Sequence, residues 1–194
     1  MKKHRPRLIL ASSSPRRCEL MEQAGYEFEV MRPNDSAECG VCSRETPPEL
    51  AARLAYQKAG DVARRVDQAI VIGADTVVEC RGHILGKPHN REHASQMLRL
   101  LRGQTHHVYT GVCIWCRPGD QTLVKVDSTK LRMTEFTDKQ LSQYLDTDDW
   151  QGKAGAFGYQ DDHDWIRIIV GSESNVVGLP MELLKEMLAN EMID

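Results

Sequence analysis

The chain has 194 residues, of which 41% are hydrophobic and 27% are charged, and its formal net charge is −3. This length supports one sizeable core, which favours a single domain over residues 1–194, and the slightly acidic balance argues against general nucleic-acid binding. No apolar run approaches the ~20 residues of a membrane span, and Leu8–Ala11 is too short for a signal peptide, so we expect a cytoplasmic protein.

Strand-like and helix-like segments alternate through the first half of the chain, which indicates an α/β fold. Ser14 followed by Pro15 is typical of a helix start, and Thr46 with Glu49 has the spacing of a capping box. The predicted elements are, in order, a strand at 7–11, a helix at 14–24, extended chain at 26–32, a loop at 33–45, a helix at 46–65, a strand at 69–78 and an extended piece after the turn at 81–82.

The alternation continues in the second half of the chain. Apolar residues at helical spacing predict one amphipathic helix, and the Pro118–Asp120 segment predicts a turn between two strands. The predicted elements are a helix at 90–101, strands at 106–116 and 122–133, a helix at 137–145, a loop at 150–162, a strand at 165–170 and a helix from Pro180.

The loop after the first predicted strand brings three serines and two arginines to a helix start. Backbone N–H groups at such a start favour an anion, whereas the helix dipole disfavours cations there by roughly 0.3–1 kcal/mol. Arg16 and Arg17 are therefore explained if a phosphate lies between them and the helix. The alternative is a solvated face on which both arginines pair with Glu19 or Glu22.

Lys58 and Asp75 each interrupt an apolar pattern. At about 100° per residue, Lys58 falls inside the apolar stripe of its helix, so it either reaches to the edge of the stripe or points into a cleft. Asp75 and Thr76 interrupt an apolar run that is typical of a strand buried on both faces. A carboxylate there suits a divalent cation, and a structural turn cap is the alternative.

Two further segments carry candidate binding groups. Lys87 lies between Gly86 and Pro88, so a stiff loop would present its ammonium group. In residues 153–160 the small side chains leave room for a planar group, and Gln160 offers the donor and the acceptor that recognition of a base edge needs. A flexible surface loop is the alternative for this segment.

The six cysteines include two C-x-x-C pairs, Cys39 with Cys42 and Cys113 with Cys116. Together the pairs could form a four-thiolate zinc site. The second pair lies in a predicted strand, however, where residues three apart point to opposite faces, so free thiols are the favoured interpretation.

Seven short blocks follow one another along the chain. They are Leu8–Arg17, Gln57–Ala59, Ile72–Thr76, Leu85–Pro88, Tyr109–Gly111, Lys153–Gln160 and Val177–Pro180. Their composition and order resemble the signature of the Maf family of nucleoside triphosphate pyrophosphatases, over about residues 7–190. Each block alone is weak evidence for the resemblance, whereas the ordered set of seven is specific for this family.

The resemblance implies a mixed, twisted sheet with flanking helices, two lobes around a cleft, and commonly a homodimer. It implies cleavage of a nucleoside triphosphate between the α and β phosphates, with Mg²⁺ or Mn²⁺ as the metal. By position, Asp75 resembles the family's proton acceptor and would also bind the metal. The substrate-binding positions are then Ser13, Arg16, Arg17, Lys58, Thr76, Lys87 and Gln160.

One acidic position departs from the family pattern. The family usually carries an acidic pair after the second strand, whereas Asn34, Ser36 and Ala37 occupy the expected places here. After a small shift of the loop, Asp35 or Glu38 could substitute as a metal ligand.

The Lys153–Gln160 segment is similar to the branch of the family that acts on dTTP and UTP. Hydrolysis of dTTP and UTP, and of modified pyrimidine nucleotides, is therefore the leading hypothesis. The alternatives are a 7-methyl-GTP pyrophosphatase and a weakly catalytic nucleotide-binding regulator of cell division. A zinc-bound interaction module is disfavoured, and neither nucleic acid nor a membrane is expected as a partner.

Overall fold

The computed structural model describes residues 6–37, 44–159 and 164–191. The strands are β1 (Leu8–Ala11), β2 (Glu29–Val30), β3 (Ala69–Cys80), β4 (His83–Leu85), β5 (Thr105–Arg117), β6 (Gln121–Met133) and β7 (Ile166–Val170). The α-helices are α1 (Pro15–Gln23), α2 (Pro47–Ala63), α3 (Arg91–Leu101), α4 (Asp138–Leu145), α5 (Glu173–Val177) and α6 (Met181–Glu191), with short 3-10 turns at Asp35–Ala37 and Ala154–Ala156. Within the described ranges, no helix is both long enough and apolar enough to cross a bilayer.

The strands form one mixed sheet with the order β2-β1-β3-β5-β6-β7, and β4 pairs with β3 beside this path. β1 runs parallel to β2 and β3, whereas β3 pairs antiparallel with β5, β5 with β6, and β6 with β7. The long strands β3, β5 and β6 form the centre, because each is 12 or 13 residues long. The predicted α/β class and mixed sheet are confirmed.

Helix α2 lies directly on one face of the central strands because two glycines let its backbone approach. A Cβ on Gly73 of β3 would collide with the carbonyl oxygen of Ala55, and a Cβ on Gly111 of β5 would collide with that of Ala51. The capping box predicted at the start of α2 is present. This close packing fixes Lys58, which lies about one turn beyond Ala55, over β3.

Two hydrophobic clusters on the other face of the sheet form two lobes. The first lobe surrounds α1 and α6, and its buried residues include Leu10, Met21, Ile72, Ala74, Val112, Ile114, Leu184 and Met187. The second lobe surrounds α3 and α4, and its buried residues include Val78, Leu98, Leu101, Val108, Leu131, Met133, Tyr144 and Trp165. In β3 and β5 the two clusters are separated by the paired residues Thr76 and Thr110.

Three local features differ from the sequence-based prediction. Extended chain was expected at 26–32, but only Glu29–Val30 pairs with β1, which is itself four residues long. β3 continues to Cys80 because β4 gives its end an antiparallel partner. Helix α5 was not anticipated, because its five residues are too few to show an apolar period.

Candidate active site

A cavity of about 580 Å³ lies between the two lobes and is open to solvent. All predicted site residues whose side chains the structure describes line this single cavity. They are Ser13, Arg16, Arg17, Lys58, Asp75, Thr76 and Lys87. Side chains from four separate blocks of sequence therefore converge on one place.

The cavity opens where β3 changes its neighbour. β1 pairs with β3 as far as Gly73, and β4 begins to pair with it at Val78. Among the described strands, neither β1 nor β4 covers residues 74–77 on that edge. Because β1 ends at Ala11, this edge of β3 stays open, and Asp75 and Thr76 line the cavity together with the loop after β1.

Lys58 and Asp75 form an ion pair at the wall of the cavity. The Nζ atom of Lys58 donates a hydrogen bond of 2.5 Å to Oδ1 of Asp75, and their side chains are only 10% and 13% exposed. Of the two orientations predicted for Lys58, the one into a cleft is therefore confirmed. The structural turn cap predicted as an alternative for Asp75 is wrong, because Asp75 lies within β3 and contacts an ammonium group.

Arg17 is held from three directions. Its Nε donates to the carbonyl oxygen of Gly178 at 2.6 Å, and its terminal nitrogens donate to Thr76 Oγ1 at 3.1 Å and Ser12 Oγ at 3.4 Å. Its side chain is buried, so the solvated face predicted as an alternative is wrong for Arg17. Arg16 is half-buried and also lines the cavity, at the first turn of α1.

A chain of hydrogen bonds connects Arg17 to α5. Thr110 donates to the carbonyl oxygen of Asn175, so Thr76 donates to Thr110 and accepts from Arg17. The amide of Asn175, which is fully buried, donates in turn to Thr129 Oγ1 and to the carbonyl oxygen of Val108. Thr76 thus orients Arg17, and the sequence contained no signal that linked these residues.

Two loops from different parts of the chain meet at the far side of the cavity. Lys87 is exposed and lines the cavity from the loop after β4. The N–H of Gly155 donates to the carbonyl oxygen of Gly86 at 3.0 Å, which joins this loop to the 3-10 turn. Lys153 also lines the cavity, so this side carries two ammonium groups.

His106 of β5 also lines the cavity, and the sequence reasoning missed it. It is only 3% exposed, and its Nδ1 has no hydrogen-bond partner among the residues that the structure describes. Burial lowers the pKa of His106 to about 4, and the backbone of Gln104 counteracts only part of this effect. The imidazole is therefore neutral at pH 7.

Three of the predicted site residues cannot be placed in the cavity. Gln160 and Glu38, predicted to bind base and metal, lie outside the described residues, and so does the side chain of Asp35. The backbone of Asp35 starts a 3-10 turn just after Pro33, which lines the cavity. Among described residues Asp75 is the only carboxylate in the cavity lining, and no group of three or more metal-binding side chains occurs.

The predicted opposite orientation of Cys113 and Cys116 is confirmed. Cys113 packs with the cluster under α2, whereas Cys116 packs with the first lobe on the other face. Burial raises the pKa of the Cys113 thiol to about 12. Cys39 and Cys42 lie outside the described residues. The described pair, Cys113 and Cys116, has an orientation that is unfavourable for a shared zinc ion.

Comparisons with known proteins give the family and several relatives of the chain. A family model described as "Maf-like protein" matches residues 7–191. The chain is 60% identical to the dTTP/UTP pyrophosphatase of Rhodopirellula baltica over 184 residues, or 94% of this chain and 81% of that protein. It is 39% identical to the dTTP/UTP pyrophosphatase of Dictyoglomus thermophilum over 182 residues, or 93% and 94% of the two chains. The dTTP/UTP pyrophosphatase of Bacillus anthracis is 39% identical over 189 residues, or 97% of each chain.

Proposed function

The chain belongs to the Maf family, and on this premise we propose that it hydrolyses dTTP and UTP to the nucleoside monophosphate and pyrophosphate. The observation that carries the proposal is the gathering of the four predicted cationic side chains in one cavity with one carboxylate. The cations are Arg16, Arg17, Lys58 and Lys87, and the carboxylate is Asp75. The names of relatives at 60% and 39% identity support the choice of substrate.

The cationic side chains neutralise and orient the triphosphate. Phosphoryl transfer needs charge neutralisation and in-line positioning more than it needs covalent chemistry. Arg17 is pre-oriented by Thr76 and Gly178, so little side-chain entropy is lost when it meets a phosphate oxygen. Arg16 at the start of α1 and Lys87 in the loop after β4 add positive charge around the substrate from two separate elements.

Asp75 accepts the proton of the attacking water. The water oxygen forms a bond to the α-phosphorus, and the bond from that phosphorus to the α–β bridging oxygen breaks, so pyrophosphate leaves with the electron pair. Lys58 holds the carboxylate through Oδ1 and keeps it aimed into the cavity. The monophosphate and pyrophosphate then leave through the open mouth of the cleft.

A divalent cation, Mg²⁺ or Mn²⁺, fits the donor set of this cavity. Mg²⁺ is usually held by one or two carboxylates together with substrate phosphate oxygens and waters, and Asp75 offers such a carboxylate. When bound, the metal would supply charge neutralisation at the phosphates and would lower the pKa of a bound water. Asp35 or Glu38 would be the second protein ligand. Removal of divalent metal with EDTA should abolish turnover, and Mg²⁺ or Mn²⁺ should restore it.

Release of pyrophosphate from a panel of nucleotides tests the proposal. The panel contains dTTP, UTP, CTP, ATP and 7-methyl-GTP, each at the same concentration with Mg²⁺. We expect dTTP and UTP to be hydrolysed fastest. A preference for 7-methyl-GTP would replace the substrate assignment, and nucleotide binding with no pyrophosphate from any substrate would favour the regulatory function instead.

We also propose a homodimer, as the family resemblance implies. Light scattering on the purified full chain measures the mass directly. A dimer would have about twice the monomer mass of 22.0 kDa, whereas a species of monomer mass at all concentrations used in the assay would contradict this expectation.

A further inference from the structure

The cavity has two chemically different ends. One end carries the serines, Arg16, Arg17, Lys58 and Asp75. The other end is apolar because it is lined by residues of the second lobe, among them Val78, Leu101, Val108, Leu131, Met133 and Phe157. A nucleotide has the same division, because its phosphates are charged and its base is flat and largely apolar on its faces.

His106 is a buried polar side chain beside this apolar end. It shares a face of β5 with Val108 and Thr110, and it is paired with Leu131 of β6. Its Nδ1 has no hydrogen-bond partner in the part of the chain that the structure describes, although the side chain is almost completely buried. A buried polar group without a partner is destabilising, because it has lost its hydrogen bonds to water, so a ligand that supplies the partner would remove this cost.

The distance along β5 between His106 and the charged end is long enough for a sugar and a base. Thr110, which is hydrogen-bonded to Thr76 at the charged end, follows His106 by four residues in the same strand. At ~3.3 Å per residue the two positions are about 13 Å apart. If the phosphates bind beside Asp75, the nucleoside therefore extends along the floor of the cavity toward His106.

We propose that His106 is a specificity-determining residue, whose Nδ1 forms a hydrogen bond with the edge of the substrate's pyrimidine base. This inference rests on the proposed function and adds a base contact to it. Because the imidazole is neutral at pH 7, it can donate at one nitrogen and accept at the other. Uracil and thymine present an N–H between two carbonyl oxygens, so either tautomer of His106 finds a partner on that edge.

Two substitutions and two substrates test the contact. His106→Leu removes the polar atoms, whereas His106→Asn keeps an amide group near the position of Nδ1. UTP carries the base, and ribose 5′-triphosphate carries only the sugar and phosphates. We expect His106→Leu to lower kcat/KM for UTP by about 10-fold or more and to change kcat/KM for ribose 5′-triphosphate by less than about 2-fold. His106→Asn should recover part of the kcat/KM that His106→Leu loses on UTP.

A second measurement on the unmodified protein does not depend on turnover or on the folding of a variant. The ¹⁵N resonances of the His106 ring are followed by NMR while UMP, or inorganic pyrophosphate alone, is added. We expect UMP to shift them and pyrophosphate to leave them in place. A ring that responds to neither, or to both equally, would overturn the base contact.

The outcomes separate this inference from the function on which it rests. If wild-type protein hydrolyses UTP and His106→Leu loses activity equally on both substrates, His106 is structural and the base contact is wrong. Unchanged UTP hydrolysis by His106→Leu would also refute it. If wild-type protein releases no pyrophosphate from UTP and UMP leaves the ring unshifted, the proposed function fails first, and the inference falls with it.

Discussion

The Nζ atom of Lys58 lies 2.5 Å from Oδ1 of Asp75, although the two residues are 17 positions apart and belong to a helix and a strand. Gly73, two residues before Asp75, makes this possible, because it lets α2 approach β3 closely. The ion pair is therefore a direct product of backbone packing, and it fixes the carboxylate that carries the proposed chemistry.

Removal of the ammonium group should cost both stability and activity. Lys58→Met leaves Asp75 nearly buried without its partner, and we expect the free energy of unfolding to fall by about 2–3 kcal/mol. In the double variant Lys58→Met/Asp75→Asn, the loss of unfolding free energy should be smaller than the sum of the two single losses, by about 1 kcal/mol or more, because the two residues contact each other. Urea unfolding of all four proteins measures this coupling.

Lys125→Met is the matched control for this cycle. Lys125 pairs with Glu186 on an exposed surface, so its loss should change the free energy of unfolding by less than about 1 kcal/mol. Additive effects of the Lys58 and Asp75 substitutions would show that the 2.5 Å contact contributes nothing.

Arg17→Lys should impair substrate binding although the charge is kept. A lysine cannot reproduce the fork that contacts Gly178, Thr76 and Ser12 together, so its ammonium group would lose its fixed orientation. We expect kcat/KM for UTP to fall about 10- to 100-fold, mostly through a higher KM. Arg7→Lys is the control, because Arg7 pairs with Glu29 at an exposed site and should keep full activity.

Gly73→Ala should separate α2 from the sheet. The added Cβ would collide with the carbonyl oxygen of Ala55, and a backbone atom cannot yield as the end of a side chain can. We expect the free energy of unfolding to fall by about 2–3 kcal/mol. Gly86→Ala is the control, because a Cβ there meets nothing within 4 Å. Equal stability of the two variants in urea would contradict the close packing.

His106 should make the stability of the fold depend on pH. The pKa of His106 is about 4 in the folded protein and about 6.5 when exposed. Burial is the main cause of the lower pKa, and His107 also lowers it, whereas the backbone of Gln104 and the charge of Glu79 raise it. The unfolded chain therefore binds more protons between these values, so stability is lost as pH falls from 6.5 toward 4.

The size of this effect follows from the same two values. Relative to His106→Asn, the wild-type protein should lose about 2 kcal/mol of unfolding free energy between pH 7.5 and pH 5. Urea unfolding at both pH values measures the difference. Parallel pH profiles for the two proteins would mean that His106 is not buried as a neutral group.

The elements of this fold were predictable because their signals are local. The capping box at Thr46 set one helix start, and the turn at Pro118–Asp120 joined two strands as expected. The resemblance likewise placed Asp75 and its cationic partners in one site. Local patterns report backbone preference and the repeat of apolar residues, and both act within a few residues.

The rest depended on contacts between distant parts of the chain. The helical position of Lys58 left two orientations open, since the deciding partner, Asp75, lies in another element. His106 carries no motif, and only its burial without a partner for Nδ1 marks it. A polar residue that shares a strand face with Val108 was the one available signal, and it is too common to decide a function.

Pyrophosphate release from UTP by wild-type protein and by Asp75→Asn tests the central claim most directly. The substitution keeps the shape of the side chain and removes its charge, so we predict an unchanged far-UV circular dichroism spectrum and a loss of turnover of at least about 100-fold. Asp120→Asn makes the same chemical change at an exposed pair with Arg117 and should be fully active. Near-wild-type turnover by Asp75→Asn would contradict the account.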